Sequence, residues 1–141
     1  EIEITTEKYT FIDGIERNVQ TGYAGEKIVY DYLKQRFGTK VDWVNGSNPS
    51  VERLEKGLPY DIVIMNDVSA VETWVEVKTT TLSEKDWFEM SFREWSFAFE
   101  KRSNYHIYRV SNFGEETVRI KIIVDPYGKW CKGEMAMRLC F

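Results

Sequence analysis

Apolar and polar side chains alternate most regularly in residues 58–81, which read LPYDIVIMNDVSAVETWVEVKTTT. Successive side chains of a β-strand point to opposite faces, so alternation predicts a strand with one buried face. Two such runs, residues 60–66 and 70–80, flank a short polar turn and predict a β-hairpin. On the second strand, one face is predicted to carry Val71, Thr73, Val75 and Val77, and the other Glu72, Trp74, Glu76 and Lys78. The first of these faces is expected to lie on the core.

Two other segments have helical periodicity. In residues 21–37, apolar side chains recur every three to four positions, and Gly38 is a natural C-terminal stop. A second helix is predicted after Ser91, because Glu94 three residues later completes the pattern of a capping box. The apolar stripes consist of Ala24, Ile28, Tyr32 and Leu33 in the first helix, and of Phe92, Trp95, Ala98 and Phe99 in the second.

Three further strands are predicted at residues 40–45, 105–110 and 117–124. Residues 46–57 are rich in Gly, Ser, Asn and Pro, which predicts a loop that could hold one helical turn around residues 51–55. No element is predicted for residues 1–20 or for the tail from residue 126. The predicted order is α-β-β-β-α-β-β. A mixed β-sheet flanked by helices is the simplest α/β arrangement that buries these apolar surfaces.

Composition limits the classes of protein that fit this pattern. The chain of 141 residues is 43% hydrophobic and 15% aromatic, which suits one globular domain and excludes a disordered segment. No apolar run approaches the roughly 20 residues of a membrane span. The net charge of -4 argues against purely electrostatic binding of DNA, although a local basic groove can operate on an acidic body. Because the chain begins with Glu1, we expect it to be part of a longer protein.

The cysteines and the single histidine do not predict a zinc site. Cys131 and Cys140 lack zinc-site spacing, and we expect free thiols in a reducing, intracellular compartment. A disulfide between them is the less favoured alternative. His106 lies in a predicted strand and is expected to be structural rather than a catalytic base.

The charges on the hairpin indicate a candidate metal site. A two-residue turn at Val68 and Ser69 would set the register of the two strands. The facing pairs are then Met65 with Glu72, Val63 with Trp74, and Asp61 with Glu76. Asp61 and Glu76 would project from one face with Cβ atoms about 5 Å apart, and like charges in these positions destabilise a hairpin. A divalent cation would offset this repulsion. Mg²⁺, or Mn²⁺ in its place, binds one or two carboxylates and leaves its other positions to water and phosphate.

Lys78 follows Glu76 by two residues and shares its predicted face. Beside a metal it would orient or help to deprotonate an attacking water, or stabilise charge on a phosphate. The alternative is that Glu76 and Lys78 are ordinary charges on a solvent-facing strand. A longer turn would also move Asp61 to the opposite face.

At these residues the chain resembles a known family. Asp61, followed on the next strand by the run EVK (Glu76 to Lys78), resembles the signature of the PD-(D/E)XK nuclease superfamily, which has the restriction-endonuclease-like fold. A longer series of motifs is similar to the C-terminal domain of NO VEIN proteins, a family placed near these nucleases. In chain order the motifs are GYAGEKIVYDYL, GLPYDIVI, WVEVKTTT and FEMSFREWSFAF. The resemblance implies a nuclease-like domain at residues 21–125, an N-terminal extension at 1–20, and a tail at 126–141 that packs on the domain.

The resemblance also implies roles for individual residues. Glu26 matches a helix glutamate that often completes the acidic cluster of such nucleases, and a solvent-facing charge is the equal alternative. Glu94 matches a family position, but its capping role is favoured over catalysis. Thr79 and Thr80 match hydroxyl residues that could contact phosphate, although a plain strand-forming role is favoured. The basic residues that could form a local basic surface, with a solvated face as the favoured alternative, are Lys101, Arg102 and Arg109.

These features predict a Mg²⁺-dependent nuclease that acts on nucleic acid, with DNA favoured over RNA. Asp61 and Glu76 would hold the metal, Glu26 would assist them, and Lys78 would position or activate the attacking water. The alternative is a module without catalytic activity that binds nucleic acid, a partner protein or other domains of a larger parent protein. A third reading is a purely structural domain whose charged motif is a relic.

Overall fold

The structure is a computed structural model, and it describes residues 1–44 and 58–139. In this part of the chain one mixed sheet has the strand order β1-β6-β5-β4-β3-β2. Its strands are β1 (Ile2–Thr5), β2 (Val41–Trp43), β3 (Ile62–Met65), β4 (Val71–Thr79), β5 (Tyr105–Ser111) and β6 (Thr117–Val124). The helices are α1 (Arg17–Phe37), α2 (Phe92–Lys101) and α3 (Pro126–Cys131). Only β4 and β5 pair in parallel, and every other neighbouring pair is antiparallel. The predicted α/β class and mixed sheet are therefore confirmed.

Helices cover both faces of the sheet. On one face, Val29 and Leu33 of α1 pack against apolar side chains that include Ile62 and Val75. On the other face, Ala98 of α2 is fully buried beside Tyr105 and Ile107 of β5. Burying both faces explains why β4 carries buried residues on each side rather than one solvent-facing row.

The N-terminal segment is more ordered than its sequence pattern predicts. β1 adds to the sheet beside β6, and α1 begins at Arg17 rather than at residue 21. The segment before α1 is held by the buried amide of Gln20, which donates to the carbonyls of Ile12 and Ile15 and accepts from the Ile12 N–H. The expectation that residues 1–20 contain no element was wrong, because pairing and one buried side chain supply the order that periodicity does not reveal.

The hairpin turn differs from the prediction in length, and a bulge compensates for the difference. Asn66 pairs with Ala70 around the three residues 67–69, with Ser69 at a φ of 59°. Met65 pairs with Val71 rather than with Glu72, so the predicted Met65 pairing was wrong. The register then shifts by one residue, which leaves Glu72 without a facing partner and brings Val63 opposite Trp74 as predicted.

The C-terminal segment forms a short helix that the sequence pattern does not predict. Asp125 caps α3 by accepting a hydrogen bond from the Gly128 N–H, and Pro126 occupies the first turn, where its missing N–H has no cost. Tyr127 packs on the Trp95 ring of α2. Cys131 is an exposed free thiol. Cys140 and the predicted loop at residues 46–57 with its helical turn lie outside the described residues.

None of the helices in residues 1–44 and 58–139 has the length and apolar character that a membrane span needs.

Candidate functional site

Asp61 lies one residue before β3, in a backbone that is not regular strand. Its N–H donates to the Val75 carbonyl of β4, and its carbonyl accepts from Val44 next to β2. In a regular strand both groups of one residue point to the same neighbour, so the chain turns at this residue. The predicted ladder pair of Asp61 with Glu76 is therefore absent from the observed register, which begins with Ile62 opposite Val75.

The Asp61 carboxylate nevertheless lies close to Glu76. Its Oδ2 accepts a hydrogen bond of 2.9 Å from the backbone N–H of Val77, the residue between Glu76 and Lys78. The side chain is 8% exposed. The bend before β3 thus brings the first acid beside the EVK run through a contact with the backbone rather than through cross-strand pairing.

Glu76 is buried among charges. It is 7% exposed, and burial raises the pKa of its carboxyl well above the usual value. The negative charge of Asp61 raises this pKa further, whereas Lys78 lowers it. The alternative of an ordinary solvent-facing charge is wrong for Glu76, because the helices that cover this face exclude water from it.

Lys78 is held between two carboxylates. Its Nζ lies 2.6 Å from Glu94 Oε1 and 3.5 Å from Glu76 Oε1. Burial alone would lower the pKa of Lys78, but the two carboxylates outweigh burial and the pKa is raised. Lys78 is therefore an ammonium ion at neutral pH. It suits the stabilisation of negative charge and the orientation of water better than the removal of a proton.

Glu94 has two roles at once. The predicted capping box is confirmed, since Ser91 Oγ accepts from the Glu94 N–H and Glu94 Oε1 accepts from the Ser91 N–H. The same Oε1 accepts from Lys78 Nζ. The N-terminus of α2 therefore fixes the position of the lysine, which the capping pattern alone did not indicate.

Glu26 is 3% exposed, so the alternative of a solvent-facing helix charge is wrong. Its Oε1 accepts a hydrogen bond from Trp43 Nε1, and its charge contributes to the raised pKa of Glu76. The neighbouring Gly25 allows this placement, because a Cβ there would collide with the Thr79 side chain of β4. Helix α1 thus approaches the sheet closely beside the acids.

Of the two threonines after Lys78, Thr79 is the last residue of β4 and Thr80 follows it outside the strand. The Thr79 hydroxyl is buried and forms no hydrogen bond with any residue in the described ranges. The Thr80 Oγ1 accepts from the Leu82 N–H and so shapes the chain that leaves β4. The suggested phosphate contacts of both residues stay predictions.

Tyr105 is a residue of the site that the sequence did not reveal. It is fully buried, and its hydroxyl donates a hydrogen bond of 2.8 Å to the Pro59 carbonyl, two residues before Asp61. Burial raises the Tyr105 pKa, and the charges of Glu76, Glu94 and Asp61 raise it further. The phenol therefore stays protonated and fixes the segment that carries the first acid.

A cleft of about 350 Å³ opens beside Lys78, where β4 ends. Its other lining residues include Lys85, Trp87 and Arg109. Arg109 faces Lys78 in the parallel pairing of β4 and β5 and is 8% exposed, so the favoured solvated face was wrong for this residue. Ligand sites commonly form at the carboxyl ends of parallel strands, which is the position of this cleft.

The other two basic residues of the predicted surface have different neighbours. Lys101 Nζ lies over the Trp74 ring, and Arg102 lies over the Tyr127 ring. The predicted structural role of His106 agrees with the contact of its Nε2 with the Ser103 carbonyl.

Replacing Glu76 with Gln is expected to stabilise the protein without metal, and more at pH 8 than at pH 5. The unfolded carboxyl has a pKa of about 4.3, and the folded one is higher, so the folded protein holds the extra proton between the two values. Wild-type stability therefore falls as pH rises through this window, whereas Gln does not ionise. We expect a gain of about 1 kcal/mol at pH 8, measured by urea unfolding in EDTA. Glu72→Gln, on the same strand but exposed, is the matched control, and equal changes at both pH values would contradict the argument.

The comparison with known families decides the identity of the domain. The family described as Protein NO VEIN, C-terminal matches residues 25–123. The chain belongs to this family. The NO VEIN C-terminal match includes Glu26, Asp61, Glu76, Lys78 and the second helix.

Two plant proteins show the same relationship. Protein NO VEIN and Protein NO VEIN-LIKE of Arabidopsis thaliana are each 43% identical to the chain over 93 residues, or 64% of its length. The matched segment is 3% of the first protein and 13% of the second, so this domain is a small part of larger relatives. No solved structure matches the chain.

Proposed function

We propose that this NO VEIN C-terminal domain is a Mg²⁺-dependent nuclease with a restriction-endonuclease-like fold. One observation carries the proposal: the buried carboxylates of Asp61 and Glu76 lie close to the half-buried ammonium group of Lys78, which lines an open cleft where β4 ends. Buried charges of this kind are costly for a purely structural domain and cluster at functional sites.

The donor set fits Mg²⁺ or Mn²⁺. Asp61 and Glu76 offer hard carboxylate oxygens. Burial raises the pKa of Glu76, and repulsion by the charge of Asp61 raises it further. Within residues 1–44 and 58–139, no group of three or more acids, histidines or cysteines is spaced to hold an ion. The proposed ligand set is accordingly the pair, with phosphate and water in the other positions, and Glu26 acts on the pair through its charge.

The bound metal would polarise a phosphate oxygen and lower the pKa of a water molecule. The protein residues supply position and charge. Lys78, kept protonated by Glu94, stabilises negative charge on the phosphate and orients the water. The hydrogen bonds from Val77 to Asp61 and from Tyr105 to Pro59 keep the first acid in place.

Asp61→Asn tests the proposal at the metal. The amide oxygen can still accept from the Val77 N–H, so the fold is retained, but the negative charge is lost. We expect at least about tenfold weaker binding of Mg²⁺ and Mn²⁺ by titration calorimetry, because even the loss of a group that only orients a metal ligand typically costs about 10- to 100-fold. Metal-dependent cleavage of single- and double-stranded DNA and RNA should fall with it. Asp67→Asn removes an exposed acid of the same hairpin and is the control. Equal metal affinity of wild type and Asp61→Asn would exclude Asp61 as a ligand.

A binding module without catalysis is the second candidate. The observation that favours it is the 2.6 Å ion pair of Lys78 with Glu94, which engages the ammonium group in the absence of substrate. The small share of the relatives that the domain covers also suits a module of a larger protein. Binding of nucleic acid or of a partner that needs no metal and leaves the nucleic acid intact would support this candidate over the nuclease.

A further inference from the structure

The cleft beside Lys78 contains positive charge that the site described above does not use. Arg109 is buried, yet it pairs with no carboxylate in the described part of the chain. Buried arginines are rarely without a charged partner. Its Nη2 donates to the carbonyls of Lys85 and Trp87, at 3.3 and 3.0 Å, and its Nε is buried without a hydrogen-bond partner. The guanidinium is thus held by two backbone carbonyls, and no ion pair neutralises it in the described residues, although the carboxylate of Glu89 also lines the cleft.

The cleft also contains a second cation and an exposed aromatic ring. Lys85 Nζ lies 3.9 Å from the centre of the Trp87 ring, and in the described residues it forms no ion pair. Trp87 is 51% exposed although it is the largest type of apolar side chain. The two carbonyl contacts of Arg109 fix the backbone that carries Lys85 and Trp87. Lys85 thus lies over the exposed ring, and Arg109 lines the same cleft and holds the backbone that carries both residues.

A nucleotide combines a phosphate anion with a flat aromatic base, and these groups match a cleft that contains cations and an exposed aromatic ring. A cleft of about 350 Å³ is within the size range of small-ligand pockets. Proteins that bind single strands use a basic groove for phosphates and aromatic side chains on which bases stack. A base can stack on such a ring only when it is unpaired and out of a duplex.

We propose that this cleft binds one unpaired nucleotide, with Arg109 and Lys85 at the phosphate and Trp87 against the base. The substrate class of the adjacent site is then single-stranded nucleic acid, a statement that rests on the proposed nuclease function. The binding itself does not depend on cleavage, because the residues of the cleft that carry it are not those that hold the metal. Lys78 lines both sites and would link the bound phosphate to the two acids.

Binding is measured by the anisotropy of a fluorescein-labelled oligothymidylate and of a duplex of equal length, in EDTA so that no metal-dependent cleavage occurs. We expect tighter binding of the single strand. Trp87→Ala should weaken it about tenfold, and Trp87→Phe should largely restore it. Lys85→Gln should reduce the slope of log affinity against log salt concentration by about 0.7, the value for one phosphate contact with a single strand. Phe92→Ala, which removes an exposed ring on α2 outside the cleft lining, is the control and should change nothing.

Three results would overturn the proposal. They are preferential binding of the duplex, single-strand binding that Trp87→Ala leaves unchanged, and displacement of the oligonucleotide by a phosphoserine peptide at equal concentration. The failure of the nuclease proposal gives a different result. Single-strand binding that depends on Trp87, in a protein that does not cleave with Mg²⁺ or Mn²⁺, would support the cleft and reject the nuclease.

Discussion

Lys78→Met is expected to reduce Mg²⁺-dependent cleavage by at least about 100-fold while the metal still binds. The loss of a single group that stabilises developing negative charge typically lowers the rate 10²- to 10³-fold. Lys78 is placed for this role by Glu94 and Glu76, and its raised pKa keeps it charged. The measurement is single-turnover cleavage of a labelled oligonucleotide at saturating Mg²⁺, together with calorimetric titration of Mg²⁺.

Loss of the fold must be separated from loss of chemistry in this experiment. Lys78→Met leaves Glu76 and Glu94 without their shared cation, which is expected to cost about 3 kcal/mol of stability. Adding Glu94→Gln removes one of these charges and should recover part of the stability but none of the activity. Lys129→Met on α3 is the matched control, since Lys129 pairs with Glu134 away from the cleft. Cleavage by the double variant at the wild-type rate would show that Lys78 has no part in the chemistry.

The hairpin shows how far alternation alone can predict a site. The pattern placed Val63 opposite Trp74, and this pair is observed. The turn is one residue longer than predicted, but the extra residue is absorbed by a bulge at Glu72. Sequence gives no reliable signal for such a compensation, because a bulge depends on the local backbone energy and not on polarity. The bend at Asp61 was missed for the same reason.

Burial was the property that local sequence predicted least well. For Glu76, Glu26 and Arg109 the sequence allows a solvent-facing alternative, yet each is almost fully buried. The sheet is covered on both faces, and a charge that enters such a layer has no distinctive spacing. The apolar stripe of α2 is a signal that could have been used, because an amphipathic helix buries its apolar face against another element. The presence of this second helix implied that the charged face of β4 is covered as well.

Tertiary contacts also explain why the cleft was not predicted. Lys85 and Trp87 lie in a connection without helical or strand periodicity, and hydrogen bonds from Arg109 on β5 hold their backbone. By contrast, the capping box of α2 was readable because all its atoms lie within four residues. Local rules thus predicted the elements and part of the site, and long-range contacts determined the rest.

Gly25→Ala is expected to destabilise the protein by about 2 kcal/mol and to lower the Tm by roughly 8 °C, measured by circular dichroism. The added Cβ would overlap the Thr79 Oγ1 and lie 2.8 Å from its Cβ and Cγ2, so α1 must move away from β4. Overpacking of this kind costs up to about 3 kcal/mol, and the better helix propensity of Ala returns about 1 kcal/mol. The same movement would pull Glu26 away from Trp43 and from the acids of β4.

Thr79, the residue with which the added Cβ would collide, provides the decisive control. In Gly25→Ala with Thr79→Ala, the hydroxyl and methyl groups are removed but the Cβ of residue 79 stays, so part of the loss should be recovered. Gln35→Ala, at an exposed position of the same helix, should change stability by no more than about 0.5 kcal/mol. A Gly25→Ala protein as stable as wild type would mean that α1 does not approach β4 so closely. The burial of Glu26 beside the acid pair would then have no structural explanation, because the close approach of α1 depends on the absence of a side chain at Gly25.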